Sequence, residues 1–343
     1  MDNLTHTLSA VALSHAGLHR KTRFATLTLI AGANLPDIDI VSRFWGSATY
    51  LKYHRGLSHS ILGVSLLAFL LALAVYFLGG KAKPKPGPLL SFRWLVILAW
   101  IGTAGHLLMD FTNSYGVRPF LPFSPRWYAW DIMYILDPLL LASLCLGLGL
   151  PWLLRLVSEE VGASRSRPAW GAIFSLCALV FFWGLRDVAH RRVLGSLAAH
   201  TYSEQDPLRI GAFPSPLNPF EWTGVVETDA AYEILSTNAL DSDVDPQSAQ
   251  QFRKPEASAA LDAALKTRTG RIFMDFARFP WAQAEEYDEG FDVQIRDMRF
   301  YTNYSSRGFL AEIELDKALR VRSESFSFNA QKVQKSRSRG AAE

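Results

Sequence analysis

The chain has 343 residues, of which 49% are hydrophobic and 20% are charged, and its formal net charge is +3. This length allows two structural units, and most of the apolar residues precede about residue 190. The weak positive charge forms no basic stripe with interleaved aromatic residues, so the composition argues against a nucleic-acid-binding protein.

Two short apolar stretches begin the chain, at residues 3–18 and 24–33. The first has helical spacing, but both are too short to cross a bilayer comfortably. They predict a helical hairpin that lies on the membrane or dips into it. The first residues lack the basic stretch and cleavage pattern of a signal peptide, so we expect the N-terminus to be retained.

Four longer apolar runs follow, at residues 57–78, 94–109, 132–154 and 169–185. Each approaches the roughly 20 residues that a membrane-spanning helix requires. One such run could be a buried helix of a soluble protein, but four in succession, with flanking tryptophans, favour membrane insertion. The sequence therefore predicts a mainly α membrane domain over residues 1–190, a polytopic helical bundle with about four spanning helices.

The composition changes after Arg186, where a soluble, β-rich domain is expected over residues 191–331. Alternating apolar residues predict strands at 291–295, 309–315 and 321–328. We expect one small antiparallel sheet with one short helix near residues 258–266. The polar tail, residues 332–343, is expected to be disordered.

Histidine and aspartate residues stand at the ends of several apolar segments. His106 and Asp110 are four residues apart near the end of the second long run, so their side chains share a helix face. His54 and His59 precede the first long run, and an antiparallel helix pair brings all four residues to the same membrane face. Imidazole and carboxylate are ligands that zinc favours, so this placement predicts a metal site.

Two further segments could add ligands to this site. Asp37 and Asp39 follow Pro36 at the end of a short helix, where both carboxylates could turn toward one cation. Alone, they would be interpreted as an exposed turn or a helix cap. His6 lies on the first short helix and alone would be interpreted as an interfacial histidine.

Arg55 and Asp137 are candidates for other roles at the same face. A guanidinium beside two imidazoles opposes metal binding unless it serves an anionic substrate, although Arg55 could equally reach lipid headgroups. Asp137 lies deeper, where an unpaired carboxylate is costly. We therefore expect a ligand histidine, Arg55 or the metal to be its partner.

These motifs together resemble the YdjM-like, LexA-regulated membrane-bound metal-dependent hydrolases. The resemblance covers residues 1–150 and rests on an ordered set of motifs: Asp-x-x-Thr-His at 2–6, Pro-Asp-x-Asp at 36–39, His-Arg-Gly-x-Ser-His at 54–59, His-x-x-x-Asp at 106–110, Thr-Asn-Ser-Tyr-Gly at 112–116 and Asp-Pro at 137–138. The order is also distantly similar to that of zinc-dependent phospholipase C, whose further downstream ligand histidines have no counterpart in this chain.

The resemblance implies a hydrolase in a prokaryotic inner membrane. Its expected ligand positions are matched by His6, Asp37, Asp39, His54, His59, His106 and Asp110. Seven ligands would suit two or three adjacent ions, or one ion with the remaining residues around it.

The leading hypothesis is hydrolysis of a phosphoester or similar bond in a lipid or amphiphilic substrate by metal-activated water. Asp37 or Asp39 would accept a proton, and Arg55 would neutralise developing charge. The alternatives are a metal-ion transporter and a membrane-anchored binding protein with a structural metal. Cationic residues occur on both sides of the predicted helices, so the sequence predicts no orientation.

Overall fold

The computed structural model describes residues 1–81, 86–160, 169–301 and 308–330, and the predicted disordered tail lies outside these ranges. The N-terminal part is helical and the C-terminal part contains both strands and helices. The helices of the first part are α1 (Asn3–His15), α2 (Ala25–Asn34), α3 (Ser47–Tyr53), α4 (Ile61–Gly80), α5 (Phe92–Phe111), α6 (Pro138–Glu160) and α7 (Trp170–Ala198).

Helices α1 and α2 form the hairpin that the sequence predicts. The side chain of Asp2 caps α1 by accepting hydrogen bonds from the backbone N–H groups of Leu4 and Thr5. Gly17, with a φ of 131°, turns the chain after α1. Two short 3-10 segments, Leu35–Trp45 and Leu57–His59, connect α2 to α3 and α3 to α4.

Among the described residues, α4, α5 and α7 are long and apolar enough to cross a membrane. Helix α6 contributes a shorter apolar stretch, Pro138–Leu154. It is shorter than the run that begins at residue 132 because Asp137 caps the helix, accepting hydrogen bonds from the N–H groups of Leu139 and Leu140. Helix α7 continues past the apolar run to Ala198.

Helices α2 and α5 approach closely where each carries a glycine. A Cβ atom on Gly32 would lie 2.9 Å from the carbonyl oxygen of Ala99, and one on Gly102 would lie 2.8 Å from that of Leu29. Such backbone contact is possible only where side chains are absent. It fixes the end of α2 against α5, one turn before His106.

The C-terminal part contains two four-stranded antiparallel sheets, with strands in sequence order in each. The first sheet consists of β1 (Arg209–Pro214), β2 (Glu221–Glu227), β3 (Ala231–Asn238) and β4 (Gln250–Arg253). The second consists of β5 (Pro280–Tyr287), β6 (Gly290–Asp297), β7 (Gly308–Asp316) and β8 (Val321–Ala330). Helices α8 (Ala259–Leu265) and α9 (Arg268–Phe276) lie between the sheets in the chain and pack on the second sheet.

The three predicted strands are confirmed as parts of β6, β7 and β8, and the predicted helix is α8. The prediction of one small sheet is wrong, because a second sheet and α9 are also present. The strands of the first sheet do not alternate between apolar and polar residues, because both faces of this sheet are buried. Trp222 and Leu235 pack on the end of α7, while Val225 and Ile234 pack on the opposite face.

Two arginines of the C-terminal part bind the loop that follows α5. Arg278 donates two hydrogen bonds to Asp131, at 2.9 and 2.6 Å. Arg299 donates to the carbonyl oxygen of Ser114 at 2.7 Å. These bonds place the second sheet beside the end of α5, where His106 and Asp110 lie.

Candidate metal centre

Four side chains from separate parts of the chain converge at the end of α5. Asp37 comes from the Leu35–Trp45 segment, His59 from the turn before α4, and His106 and Asp110 from the last two turns of α5. The two histidines and Asp110 are buried, and the Asp37 side chain is 19% exposed. Their ligand atoms all lie within 4.8 Å of one another.

The distances from the two imidazole nitrogens are those of a tetrahedral metal site. His59 Nε2 lies 3.1 Å from His106 Nε2, 3.4 Å from Asp37 Oδ1 and 3.4 Å from Asp110 Oδ2. His106 Nε2 lies 3.6 Å from the same Asp37 oxygen and 3.5 Å from the same Asp110 oxygen. Ligand atoms placed about 2.1 Å from zinc in a tetrahedron are roughly 3.4 Å apart. Five of the six distances among the four ligand atoms are therefore close to those expected around one zinc-sized ion.

The imidazoles are oriented so that both Nε2 atoms face this centre. His106 Nδ1 lies 2.7 Å from the carbonyl oxygen of Ala33, which can only accept a hydrogen bond. His59 Nδ1 lies 3.2 Å from Asp39 Oδ2. With both Nδ1 atoms donating, the two neutral rings would present lone pairs to each other across 3.1 Å. Only a cation or an added proton between them relieves that repulsion.

Asp39 holds the surrounding side chains in place. Its Oδ1 is 2.9 Å from His54 Nδ1, and its Oδ2 accepts from the backbone N–H of Arg55 at 2.9 Å and from the Ser58 hydroxyl at 3.0 Å. Burial raises the pKa of Asp39, but hydrogen bonds from His54 and His59 outweigh it and hold that pKa below its usual range. Asp37, Asp39 and His54 form a second group with ligand-compatible spacing, although both Asp39 oxygens already have protein partners.

Arg55 and His6 both contact Asp110. Arg55 Nη2 donates to Asp110 Oδ1 at 3.0 Å, and its Nη1 donates to Asn113 at 2.8 Å. His6 Nε2 lies 3.3 Å from the same Asp110 oxygen, and its ring stacks on that of His106 at 3.9 Å. The buried amino group of Met1 also contacts Asp110. Arg55 Nε also lies 3.0 Å from Asp110 Oδ2, the oxygen that faces the two histidines, so the guanidinium contacts both oxygens of this carboxylate.

The pKa values of His59 and His6, which lie outside the spanning helices, indicate the charge that each imidazole carries. Burial lowers the pKa of His59, but hydrogen bonds to Asp110, Asp37 and Asp39 outweigh it and raise that pKa to about 10. Burial lowers the pKa of His6 to about 3, with the nearby amino terminus adding to the effect. The carboxylates therefore favour one positive charge at the centre, and His6 remains neutral.

Asp137 lies outside this group of side chains. Its Oδ2 accepts a hydrogen bond from Arg186 of α7 at 2.6 Å, and both side chains are fully buried. The expectation that a ligand histidine, Arg55 or the metal would be its partner is wrong. The partner, Arg186, is 49 residues away in sequence. It belongs to none of the motifs, so their spacing gave no reason to pair it with Asp137.

A pocket of about 550 Å³ opens beside Asp37, and the other three ligands lie behind its wall. Asp37, His54 and Arg55 reach it from the membrane part, and Phe309 and Phe328 reach it from strands β7 and β8. A pocket of this volume is of the size that binds small molecules. The sequence carried no signal for the Ala33 carbonyl or for the two phenylalanines, because neither a backbone oxygen nor an ordinary strand residue stands out in a motif.

The fold and the site define an integral membrane protein with a buried candidate metal centre at one membrane face. The family model described as YdjM inner membrane protein matches residues 1–191, and the chain belongs to this family of inner membrane proteins. A second model, the YfhP C-terminal alpha/beta plait domain, matches residues 259–337.

The chain is also similar over its full length to a bacterial protein. It is 23% identical to the uncharacterized protein YfhP of Bacillus subtilis (strain 168), over 98% of each chain. No solved structure gives a significant match. The family and the three candidate spanning helices among the described residues place the protein in the inner membrane.

Proposed function

We propose that the protein is a metal-dependent hydrolase that cleaves a phosphoester or similar bond of a lipid or amphiphilic substrate, with zinc as the metal. The proposal is carried by the convergence of Asp37, His59, His106 and Asp110, whose ligand atoms lie within 4.8 Å of one another, and by the open pocket beside Asp37. Four protein ligands complete a tetrahedron, as in structural zinc sites, so the proposal requires water to bind as a fifth ligand or to replace Asp37, the one of the four that lines the pocket.

The chain's own side chains have distinct roles in this proposal. A bound divalent metal would lower the pKa of coordinated water to about 7. Asp37, the most exposed of the four, has its other oxygen available to take a proton on the pocket side. Asp39 does not reach the pocket; it orients His54 and His59 instead.

Arg55 supplies positive charge at the pocket. Its guanidinium is held by Asp110 and Asn113 and lies 4.8 Å from the ring centre of Tyr115, so it is fixed before a substrate arrives. A fixed cation stabilises charge that develops on a phosphoryl oxygen more effectively than a mobile one. We therefore assign Arg55 to the neutralisation of the substrate anion, in addition to its bond with Asp110.

The position of the site favours an enzyme over a transporter. The ligands lie where α5 ends and α4 begins, at one face of the membrane. Transport sites lie near the bilayer midplane, on interrupted helices. A site at the membrane face instead suits a substrate whose polar head stands at the interface and whose bond is cleaved there.

The test is a measurement of metal content and hydrolysis on the purified full chain in lipid nanodiscs. The double variant His106→Ala/Asp110→Ala is compared with Gly105→Ala, which changes the same helix where the added Cβ meets open space. The double variant should lose both bound metal and hydrolysis of phospholipids or nucleotide-linked lipids. Unchanged metal content in the double variant would refute the site, and metal uptake into proteoliposomes without hydrolysis would favour transport.

A further inference from the structure

The C-terminal unit supplies an aromatic wall to the pocket. Phe309 of β7 and Phe328 of β8 lie with their ring centres 5.2 Å apart, and both line the cavity. The ring centres of Phe328 and Tyr50 are 5.4 Å apart, and those of Phe309 and Tyr115 are 5.8 Å apart. Tyr50 in turn stacks on His54 at 4.5 Å, so the apolar wall leads from the second sheet to the metal centre.

These two phenylalanines differ from the core residues beside them. Phe326 shares a strand face with Phe328 and is only 5% exposed, as a core residue of this sheet should be. Phe328 and Phe309 are half-buried, because their outer edges face the cavity instead of another element. An apolar edge left open beside a polar centre is the arrangement that binds the hydrocarbon part of an amphiphile.

Exposed aliphatic side chains also line the pocket. Ile38 and Ile40 line the cavity and are 53% and 55% exposed. The same segment continues into Phe44 and Trp45, which are 89% and 69% exposed. The segment lies at the membrane face where α4 begins, and exposed aromatic and aliphatic side chains at that level insert into the lipid interface. This rim of the pocket is therefore an apolar surface that lipid can reach.

We propose that Phe309 and Phe328 form an apolar subsite that binds the hydrocarbon chain of the substrate, and that this chain enters from the bilayer past Ile38 and Ile40. The inference rests on the proposed function, which it extends by assigning substrate selectivity to the C-terminal plait domain. The membrane part would then bind the polar head, and the plait domain would bind the chain.

Chain-length selectivity provides the first test. Affinities of water-soluble alkylphosphonates, from methyl to hexyl, are measured by calorimetry on the zinc-loaded full chain in nanodiscs. Each methylene that enters an apolar subsite should strengthen binding about threefold to fourfold. The Phe309→Ala/Phe328→Ala variant should flatten this series, while methylphosphonate affinity should change less than twofold. Affinities that do not depend on chain length in the wild type would overturn the subsite and leave the proposed hydrolase intact.

Two further variants separate a subsite from a loss of packing. Phe291→Ala removes a half-buried ring of β6 that packs on the same core but does not line the pocket, so it should keep the wild-type chain-length dependence. Phe309→Leu/Phe328→Leu keeps most of the buried apolar volume and should retain an intermediate dependence. Equal flattening by Phe291→Ala would show that the effect comes from the fold and would overturn the proposal.

Photolabelling tests the subsite without relying on metal or hydrolysis. Nanodiscs are doped with a phosphatidylcholine that carries a diazirine in one acyl chain, and adducts are located by mass spectrometry. Adducts on β7 and β8, in addition to the spanning helices, support the subsite even if no phosphonate binds and the hydrolase proposal fails. Adducts confined to the spanning helices overturn it.

Discussion

Replacing Asp39 by asparagine tests whether this residue orients the ligands or is itself a ligand. The Asp39 carboxylate is within hydrogen-bonding distance of four donors, which belong to His54, Arg55, Ser58 and His59. An asparagine keeps one acceptor oxygen and turns an NH₂ group toward donors on the other side. His59 or His54 therefore loses its orienting partner, while all four atoms of the tetrahedral group remain.

The structure sets the size of the expected effect. Loss of a carboxylate that orients a ligand histidine weakens metal binding about 10- to 100-fold, which corresponds to about 1.4–2.7 kcal/mol. Loss of the ligand itself in His59→Ala should weaken binding further. Zinc affinity is measured in nanodiscs by competition with a fluorescent chelator, and bound metal per chain is measured by elemental analysis.

Asp187→Asn is the matched control. The Asp187 side chain is 19% exposed, against 8% for Asp39, and it accepts a hydrogen bond from Trp130 Nε1 at 2.8 Å and pairs with Arg191, away from the four ligands. Its substitution should leave zinc affinity within about twofold, because surface-type changes away from the site have small effects. Wild-type affinity in Asp39→Asn, or a fall from two bound ions to one, would refute the orienting role.

Three other changes test the packing and charges around the site. Gly102→Ala places a Cβ atom 2.8 Å from the backbone of α2, so it should lower stability by about 1–3 kcal/mol and weaken zinc binding. Gly105→Ala, whose added Cβ meets open space, should do neither. Equal effects of the two variants in chelator competition would contradict the close helix crossing. Arg186→Met should destabilise the protein by about 3–5 kcal/mol in thermal unfolding because it leaves the Asp137 carboxylate buried and unpaired, and a shift within error would contradict that pairing. Burial raises the pKa of Glu227, but hydrogen bonds from Arg209 and Lys254 outweigh it and lower that pKa. The stabilising contribution of Glu227 is therefore present above pH about 4.5 and is lost as the pH falls through its folded pKa. Glu227→Gln should flatten the acid limb of the thermal-unfolding profile by under about 1 kcal/mol, and an unchanged limb would exclude the contribution.

Much of the membrane domain is predictable from the sequence because its determinants are local. Apolar length identifies spanning helices, and the spacing of His106 and Asp110 places both on one helix face. Antiparallel connectivity then predicts that His59 joins them. The alternation in β7 and β8 is equally local, whereas the first sheet carries no such signal because it is buried on both faces.

Atomic roles within the candidate site required the tertiary structure. By sequence, Asp37 and Asp39 are equivalent members of one motif, yet only the oxygens of Asp37 are left for a metal and a proton. Asp137 shares the motif set but is neutralised by Arg186 on another helix. The charges that a buried carboxylate meets depend on which elements pack around it, and residue spacing does not encode that packing.

The sequence by itself determined where the long apolar helices lie, which residue types could serve as ligands and at which helix ends they gather, because hydrophobic length and helical periodicity act along the chain. Only the tertiary structure decided which four side chains bring ligand atoms within 4.8 Å of one another and which aromatic residues of the distant sheet line the pocket. That arrangement depends on the close crossing of α2 over α5 and on the contact of Arg278 with Asp131. Both contacts join residues that are far apart in the chain.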